Sequence, residues 1–165
     1  MSAGNSPRIV LVDGRSGAGK TEFSHALALK RSATLISIDE IYPGWDGLDA
    51  GSAHVYRHVL VPFAAGRPAR YQRWDWAHHR PGVWVTVPPM TPLIVEGCGA
   101  IRGEARGLGA ELVWLEVSAR ERHTRALARD GDLYAPHWKR WALQEDRFLA
   151  IHQSQTIAVD ANSLG

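Results

Sequence analysis

Cysteine is almost absent from this 165-residue chain. Cys98 is its one thiol, so no internal disulfide can form, and a reducing compartment is the expectation. No apolar run is long enough to cross a bilayer. The first residues, Met1 to Pro7, lack the apolar core of a secretion signal; they read as a loose polar leader, and a cytoplasmic location is expected. Charge of one sign is lacking as well. Nineteen Lys and Arg against 17 Asp and Glu leave +2, which is no signature of a nucleic-acid binder. Neither a membrane nor a nucleic acid is therefore an expected partner. Repeats, low-complexity tracts and linkers are missing too, so residues 1–165 are most simply one domain, long enough to bury a core. Lysine is scarce and the basic residues are nearly all arginine, which favours forked contacts with phosphate or carboxylate. Against these absences stand 7 tryptophans, a high number that either a core or a ligand pocket would explain.

What is present begins with Gly14-Arg15-Ser16-Gly17-Ala18-Gly19-Lys20-Thr21, which fits G-x-x-x-x-G-K-[ST] at every fixed position. An apolar run, Arg8 to Asp13, reads as a buried strand before it, and Thr21 to Lys30 reads as a helix after it. The motif thus lies between a strand and a helix N-terminus. Glycines there let backbone N–H groups turn in on phosphate oxygens, and the helix dipole adds to the pull. Lys20 can reach the β- and γ-phosphates, and the Thr21 hydroxyl can hold Mg²⁺. Gly14, Ser16, Gly17, Ala18, Gly19, Lys20 and Thr21 form the expected phosphate cradle.

Further along, Ala33 to Ile38 reads as a second buried strand ending in Asp39-Glu40, followed by the turn-rich Ile41 to Leu48. Ala50 to Ala65 reads as a helix with Val55, Val59 and Phe63 on one face. Arg70 to Trp76 and Val83 to Val87 alternate like a hairpin. Thr91 to Val95 is a strand ending at Glu96-Gly97. Ala100 to Gly109 reads as a weak helix, and Glu111 to Val117 as a strand. Ser118, with Glu121 at capping-box spacing, starts a helix to Asp130. Gly131 to Pro136 is a loop, His137 to Gln153 a helix that offers Trp141, Phe148 and Ile151 for packing, and Thr156 to Val159 a last strand. Strands alternating with helices predict an α/β fold: a parallel sheet of about five strands with helices on both faces. Ligands bind such sheets at the carboxyl ends of the strands. Asp13, Asp39 and Glu96 all lie at such ends.

Asp39 can accept the proton of a substrate hydroxyl or orient a Mg²⁺-bound water; a capping or solvated Asp is the alternative. Glu96, after an apolar strand, is the expected second Mg²⁺ partner beside Thr21. Arg122, Arg125 and Arg129 share a helix face. They read either as a lid, around residues 118–136, that clamps phosphates or as a solvated basic face. Tyr71, Arg73, Trp74, Asp75, Trp76, His78, His79 and Arg80 crowd aromatic, acidic and cationic groups together. Aromatics there can stack on a flat base and Asp75 can bond ribose hydroxyls; a Trp-rich hairpin is the alternative. His54 and His58 read as a helix-surface pair, and Cys98 as a small packed residue.

Taken together, these residues resemble the uridine kinase family of P-loop nucleoside kinases. Gly14 to Thr21 is similar to its phosphate loop, and Ile36 to Tyr42 to its strand ending in Asp with a Tyr three residues on. Trp74-Asp75-Trp76-Ala77-His78-His79 is similar to its aromatic-Asp-aromatic-x-x-His segment. Val85 to Val87 and Ile94 to Gly97 resemble its run into the second acidic residue, and Arg125 with Arg129-Asp130 part of its lid. The resemblance implies a three-layer P-loop fold, ATP and Mg²⁺ as cofactors, and a nucleoside as the small-molecule acceptor. It implies Asp39 as catalytic base toward a 5′-hydroxyl, Asp75 as a ribose contact and His79 as a base contact, with Tyr42, Tyr71 and Trp76 on the same acceptor side. Lys20, Arg125 and Arg129 would meet the transferred charge. A kinase for another small alcohol, a sugar or an antibiotic, and a nucleotide-binding regulatory ATPase are the alternative readings. The chain departs from the family in two places: Pro43 to Leu48 has other wording, and the lid runs on as Tyr134 to Trp141 without an Arg-Gly-Arg element.

Overall fold

A computed structural model describes residues 8–157 and 159–160; the Met1–Pro7 leader lies outside them. Four strands run parallel in a single register: β1 (Ile9–Asp13), β2 (Thr34–Ser37), β5 (Leu93–Glu96) and β6 (Glu111–Trp114). A two-residue β7 (Val159–Asp160) extends the sheet, in the order β2-β5-β1-β6-β7. Between β2 and β5 stands a separate antiparallel hairpin, β3 (Ala69–Asp75) and β4 (Arg80–Val87).

β1 and β5 are buried at every position, as the near-continuous apolar runs of a parallel sheet require. Alternate residues serve two cores. Ile9 and Leu11 join Val55, Val59, Phe63 and Phe148 in the larger cluster, whereas Val10 and Val12 meet Leu27 and Phe23 in the smaller. Leu27 and Phe23 belong to α1 (Lys20–Arg31). The larger cluster draws on α2 (Leu48–Val55), a π turn (Tyr56–Leu60), α3 (Val61–Ala64) and α5 (Trp138–His152). The single helix expected over 50–65 is therefore one stack with a widened turn just before Pro62, whose missing N–H deprives the ladder of a donor. Val55, Val59 and Phe63 are buried as expected, but Ile151 is 74 % exposed.

Other boundaries moved. The second strand stops at Ser37, and Ile38–Glu40 closes into a 3₁₀ turn that carries Asp39. The weak helix over 100–109 is a 3₁₀ segment, Gly103–Leu108. β6 ends at Trp114, short of Val117. The expected last strand over 156–159 begins instead as α6 (Ser154–Ile157) and pairs only from Val159. α4 (Ala119–Asp130) starts where the sequence placed it, with the Ser118 hydroxyl accepting from the Glu121 N–H. Among the described residues no helix is long and apolar enough to cross a membrane.

α4 lies directly on the loop after β1. Gly17 has φ +83°, and a β-carbon there would stand 2.2 Å from the Arg122 carbonyl oxygen. Gly17→Ala is expected to cost about 2 kcal/mol or more, from strain plus displacement of α4. The readout is the urea midpoint at unchanged slope; wild-type stability would show that this close approach does not constrain the loop.

Candidate functional site

A cleft of about 1330 Å³ opens at the carboxyl ends of β1, β2 and β5. Its floor is the loop between β1 and α1: Ser16, Gly17, Gly19, Lys20 and Thr21 line it. Gly17 and Gly19 both take positive φ, +83° and +87°, conformations that suit glycine and turn successive amides to one side. Lys20 is buried and donates to the Arg15 carbonyl at 3.0 Å. Burial works against its charge, but Cys98, Glu145, Asp13 and Asp39 outweigh that and hold its pKa above the ordinary value. Ala18 is buried under the loop, and Gly14, with φ +156°, stands where a β-carbon would lie 2.7 Å from the Leu115 oxygen.

Thr21 and Glu96 lie side by side in the cleft. The Thr21 hydroxyl donates to Glu96 Oε1 at 3.4 Å. Burial raises the Glu96 pKa and Asp39 adds to it, while Ser37, Lys20 and Thr21 pull it partly back. Hydroxyl and carboxylate oxygens are the donor set Mg²⁺ takes, usually with few protein ligands. Among the described residues no group of three or more His, Cys, Asp or Glu forms a metal cluster. A cation here would thus rest on Thr21, Glu96 and oxygens of its ligand.

Asp39 lines the same cleft, and its backbone carbonyl accepts from Trp76 Nε1 at 3.0 Å. Trp76, His79 and Tyr42 also reach the cleft. Tyr71 and Asp75 do not line it. Tyr71 is buried in the hairpin, and burial raises its pKa with Glu40 adding. Asp75 closes the β3–β4 turn: its Oδ1 accepts from the His78 N–H at 3.2 Å, and its Oδ2 lies 2.8 Å from His78 Nδ1 and 3.7 Å from Arg80. Its pKa is lowered chiefly by the His78 side chain. A short hairpin needs such a cap, and sequence spacing does not separate that role from a ligand contact. Of the arginine row, Arg125 and Arg129 line the cleft, and the Arg125 guanidinium lies over Gly19. Arg122 instead turns back to the Val117 carbonyl at 3.1 Å. His54 and His58 pack at a tilt on each other at 4.4 Å, and both meet Trp84, His58 edge-on, away from the cleft. Burial pushes the Cys98 thiol well up, the environment of an inert packed thiol.

Several residues of the site carried no motif. Trp45, Tyr134, His137 and Trp141 form an aromatic wall, with Trp45 stacked on His137 at 4.3 Å and 10°. Trp45 also meets Trp76 and Tyr134, each at 5.4 Å. Tyr42 packs edge-on against Trp141 at 4.7 Å and donates to the Cys98 carbonyl at 2.6 Å. Glu145 from α5 is 5 % exposed and accepts from the Ser16 N–H at 2.8 Å. Asp13 is 2 % exposed; its carboxylate accepts from Gly14, Gly99 and Ile101 amides at 2.7, 3.2 and 3.0 Å. The available signal for Glu145 was an acid at the i+4 position from Trp141 on an otherwise apolar stripe.

No family model matches the chain, and no curated protein matches it. Solved structures do. A possible uridine kinase from Bacillus stearothermophilus superimposes with TM-score 0.60 at 17 % identity, covering 97 % of this chain and 90 % of its own. A structure assigned as a fructose transport system kinase from Silicibacter sp. TM1040 gives 0.52 at 18 %, covering 96 % and 88 %. At these identities the likeness shows a shared fold.

Burial outweighs the amides around Asp13 and Lys20 and lifts its pKa from 3.8 to about 6. The folded state therefore holds this proton more tightly than the unfolded chain. Its stabilising contribution is full below about pH 4 and is lost as pH rises through about 6. Asp13→Asn replaces an acceptor oxygen by a donor facing backbone N–H groups, and is expected to cost about 1–3 kcal/mol. The margin by which wild type exceeds this variant should shrink between pH 4 and 6 in denaturant titrations; a margin that grows would reverse the assignment.

Proposed function

We propose that this chain is an ATP- and Mg²⁺-dependent kinase that transfers the γ-phosphoryl group to a hydroxyl of a small molecule, a nucleoside being the acceptor its cleft suits best. One observation carries the reading: a single cleft holds the phosphate loop, the Thr21–Glu96 pair, Asp39 and an aromatic wall. A nucleotide switch needs the first two of these. Only an enzyme with a second substrate needs a carboxylate and a recognition surface across from them.

In this reading Lys20 and the amides of Gly17, Ala18, Gly19 and Thr21 hold the phosphates, with Gly14 and Ser16 shaping the turn. Thr21 and Glu96 would hold Mg²⁺, which when bound neutralises phosphate charge. Arg125 and Arg129 come from α4 to meet the charge that spreads over the transferred group. Residues 118–136 act as the lid, within one P-loop kinase domain that has helices on both faces of its sheet. Asp39 takes the hydroxyl proton as the new O–P bond forms and the bond to the β-phosphate oxygen breaks. Most of the acceleration is positioning and electrostatics. Tyr42, Trp45, Trp76 and His79 receive the acceptor; flat rings stack well on such walls. Tyr71 and Asp75 support the hairpin that presents Trp76 and His79. The kinase names of the two structural neighbours support phosphoryl transfer to a small molecule, and one of them is named for uridine.

The test is ATP consumption with Mg²⁺ over a panel of nucleosides, sugars and small alcohols, beside a control without acceptor. Turnover that needs a nucleoside is expected. Hydrolysis that is equal without acceptor would replace the kinase by a regulatory ATPase. Asp39→Asn should lower transfer by about 10²–10⁴-fold while ATP affinity stays within about threefold; full transfer activity would remove Asp39 from the base role. Trp45→Ala should raise the acceptor KM about tenfold with kcat little changed, given the worth of a stacking face, and an unchanged KM would place the acceptor elsewhere.

A further inference from the structure

α5 buries Trp141, Glu145, Phe148 and His152 along one face. An acid in such a stripe is costly unless something pairs with it. What pairs with Glu145 is the phosphate loop. Its Oε2 accepts from the Ser16 N–H at 2.8 Å, and the Cys98 thiol stands 3.5 Å from the same oxygen. Burial raises its pKa, and the Ser16 amide, Lys20 and Arg15 pull it only partly back. The next residue, Asp146, binds the Arg15 side chain at 2.6 Å. Two successive acids of α5 thus hold two successive residues of the loop.

The preceding turn of α5 holds the opposite wall of the cleft. Gln144 donates to the Trp45 carbonyl at 2.6 Å and accepts from the Leu48 N–H at 3.2 Å. Arg140 pairs with Asp46 at 3.3 Å, and Trp141 packs on Tyr42. Residues 140–146 of one helix therefore grip both the aromatic segment 42–48 and the phosphate loop. A helix is stiff over two turns, so the separation of the two substrates is set by its side chains.

We infer that Glu145 is a positioning residue for phosphoryl transfer: its carboxylate, carried by α5, sets the Ser16 peptide and with it the register of the phosphate loop against the acceptor wall. This rests on reading the loop as the ATP site. The requirement is for an acceptor oxygen at the Ser16 N–H. Gln keeps that oxygen; Ala removes it and leaves a buried amide unpaired.

The experiment is MgATP binding by calorimetry without acceptor, run beside thermal unfolding, on wild type, Glu145→Gln, Glu145→Ala and Phe148→Leu. Phe148 is buried on the same face with its ring against His152 and Arg102; it shares a small cavity with Gly14 and Arg15 but offers the Ser16 N–H no acceptor. The expected result is an ATP Kd raised about tenfold or more in Glu145→Ala and held within about threefold of wild type in Glu145→Gln. Phe148→Leu should melt earlier yet bind ATP as wild type does. Wild-type affinity in a folded Glu145→Ala variant overturns the inference, and so does a loss shared equally by Glu145→Gln or Phe148→Leu. Should Glu145→Ala fail to fold, Glu145→Asp carries the test: its carboxylate falls one methylene short, so about tenfold weaker binding is expected, and wild-type affinity would overturn the role. A wild type that binds no MgATP sinks the ATP-site reading itself, an outcome distinct from the other two.

Discussion

A buried carboxylate surrounded by backbone amides sets the rim on which everything else stands. Asp13 ends β1, and its two oxygens reach forward to Gly14 and across to Gly99 and Ile101, beyond the end of β5. Those bonds tie the start of the phosphate loop to the segment that follows Glu96. The neighbouring strand ends are thereby held in one register, and Glu96 faces Thr21 across it. Desolvation disfavours the charge, but the amides would otherwise be buried without acceptors. The two costs offset each other when they are placed together.

The same logic runs through the rest of the cleft. Lys20 is nearly inaccessible, and acids approach it from three directions: Asp13 from β1, Asp39 from the turn after β2 and Glu145 from α5. Each charge is supported by others rather than by water. The cleft's charges and dipoles are thus fixed by the fold itself. The aromatic wall completes it from the other side. Trp45, Trp76 and Trp141 meet at tilted and perpendicular ring angles and line the cleft opposite the β1–α1 loop. The high tryptophan content thus serves the cleft as well as the core.

Much of this was legible in the chain. The glycine-rich loop after β1 was legible because its pattern is local: glycine conformations, one lysine and one threonine within eight positions of backbone. The buried strands could be read from apolar runs and α4 from its capping pair, since both depend on near neighbours. Asp39, Glu96, Arg125 and Arg129 line one cleft because strand ends and helix faces share one rim in a parallel sheet. Asp75 shows where this stops. Its surroundings in sequence suit a ribose contact and a turn cap equally, and only the hairpin geometry turned the carboxylate toward His78 and Arg80. The Ser154–Ile157 helix likewise stands where the local pattern read as the approach to a strand.

What the chain determined alone is its fold class, its glycine-rich loop after β1 and the acids at its strand ends, because these follow from periodicity and from residues adjacent in sequence. What only the tertiary structure decided is the partnership of α5 with the loop and the assembly of the aromatic wall. Glu145 meets Ser16 across 129 positions, and Gln144 meets Trp45 across 99. Contacts at such separations depend on how a helix packs against a sheet edge, and no local propensity specifies that.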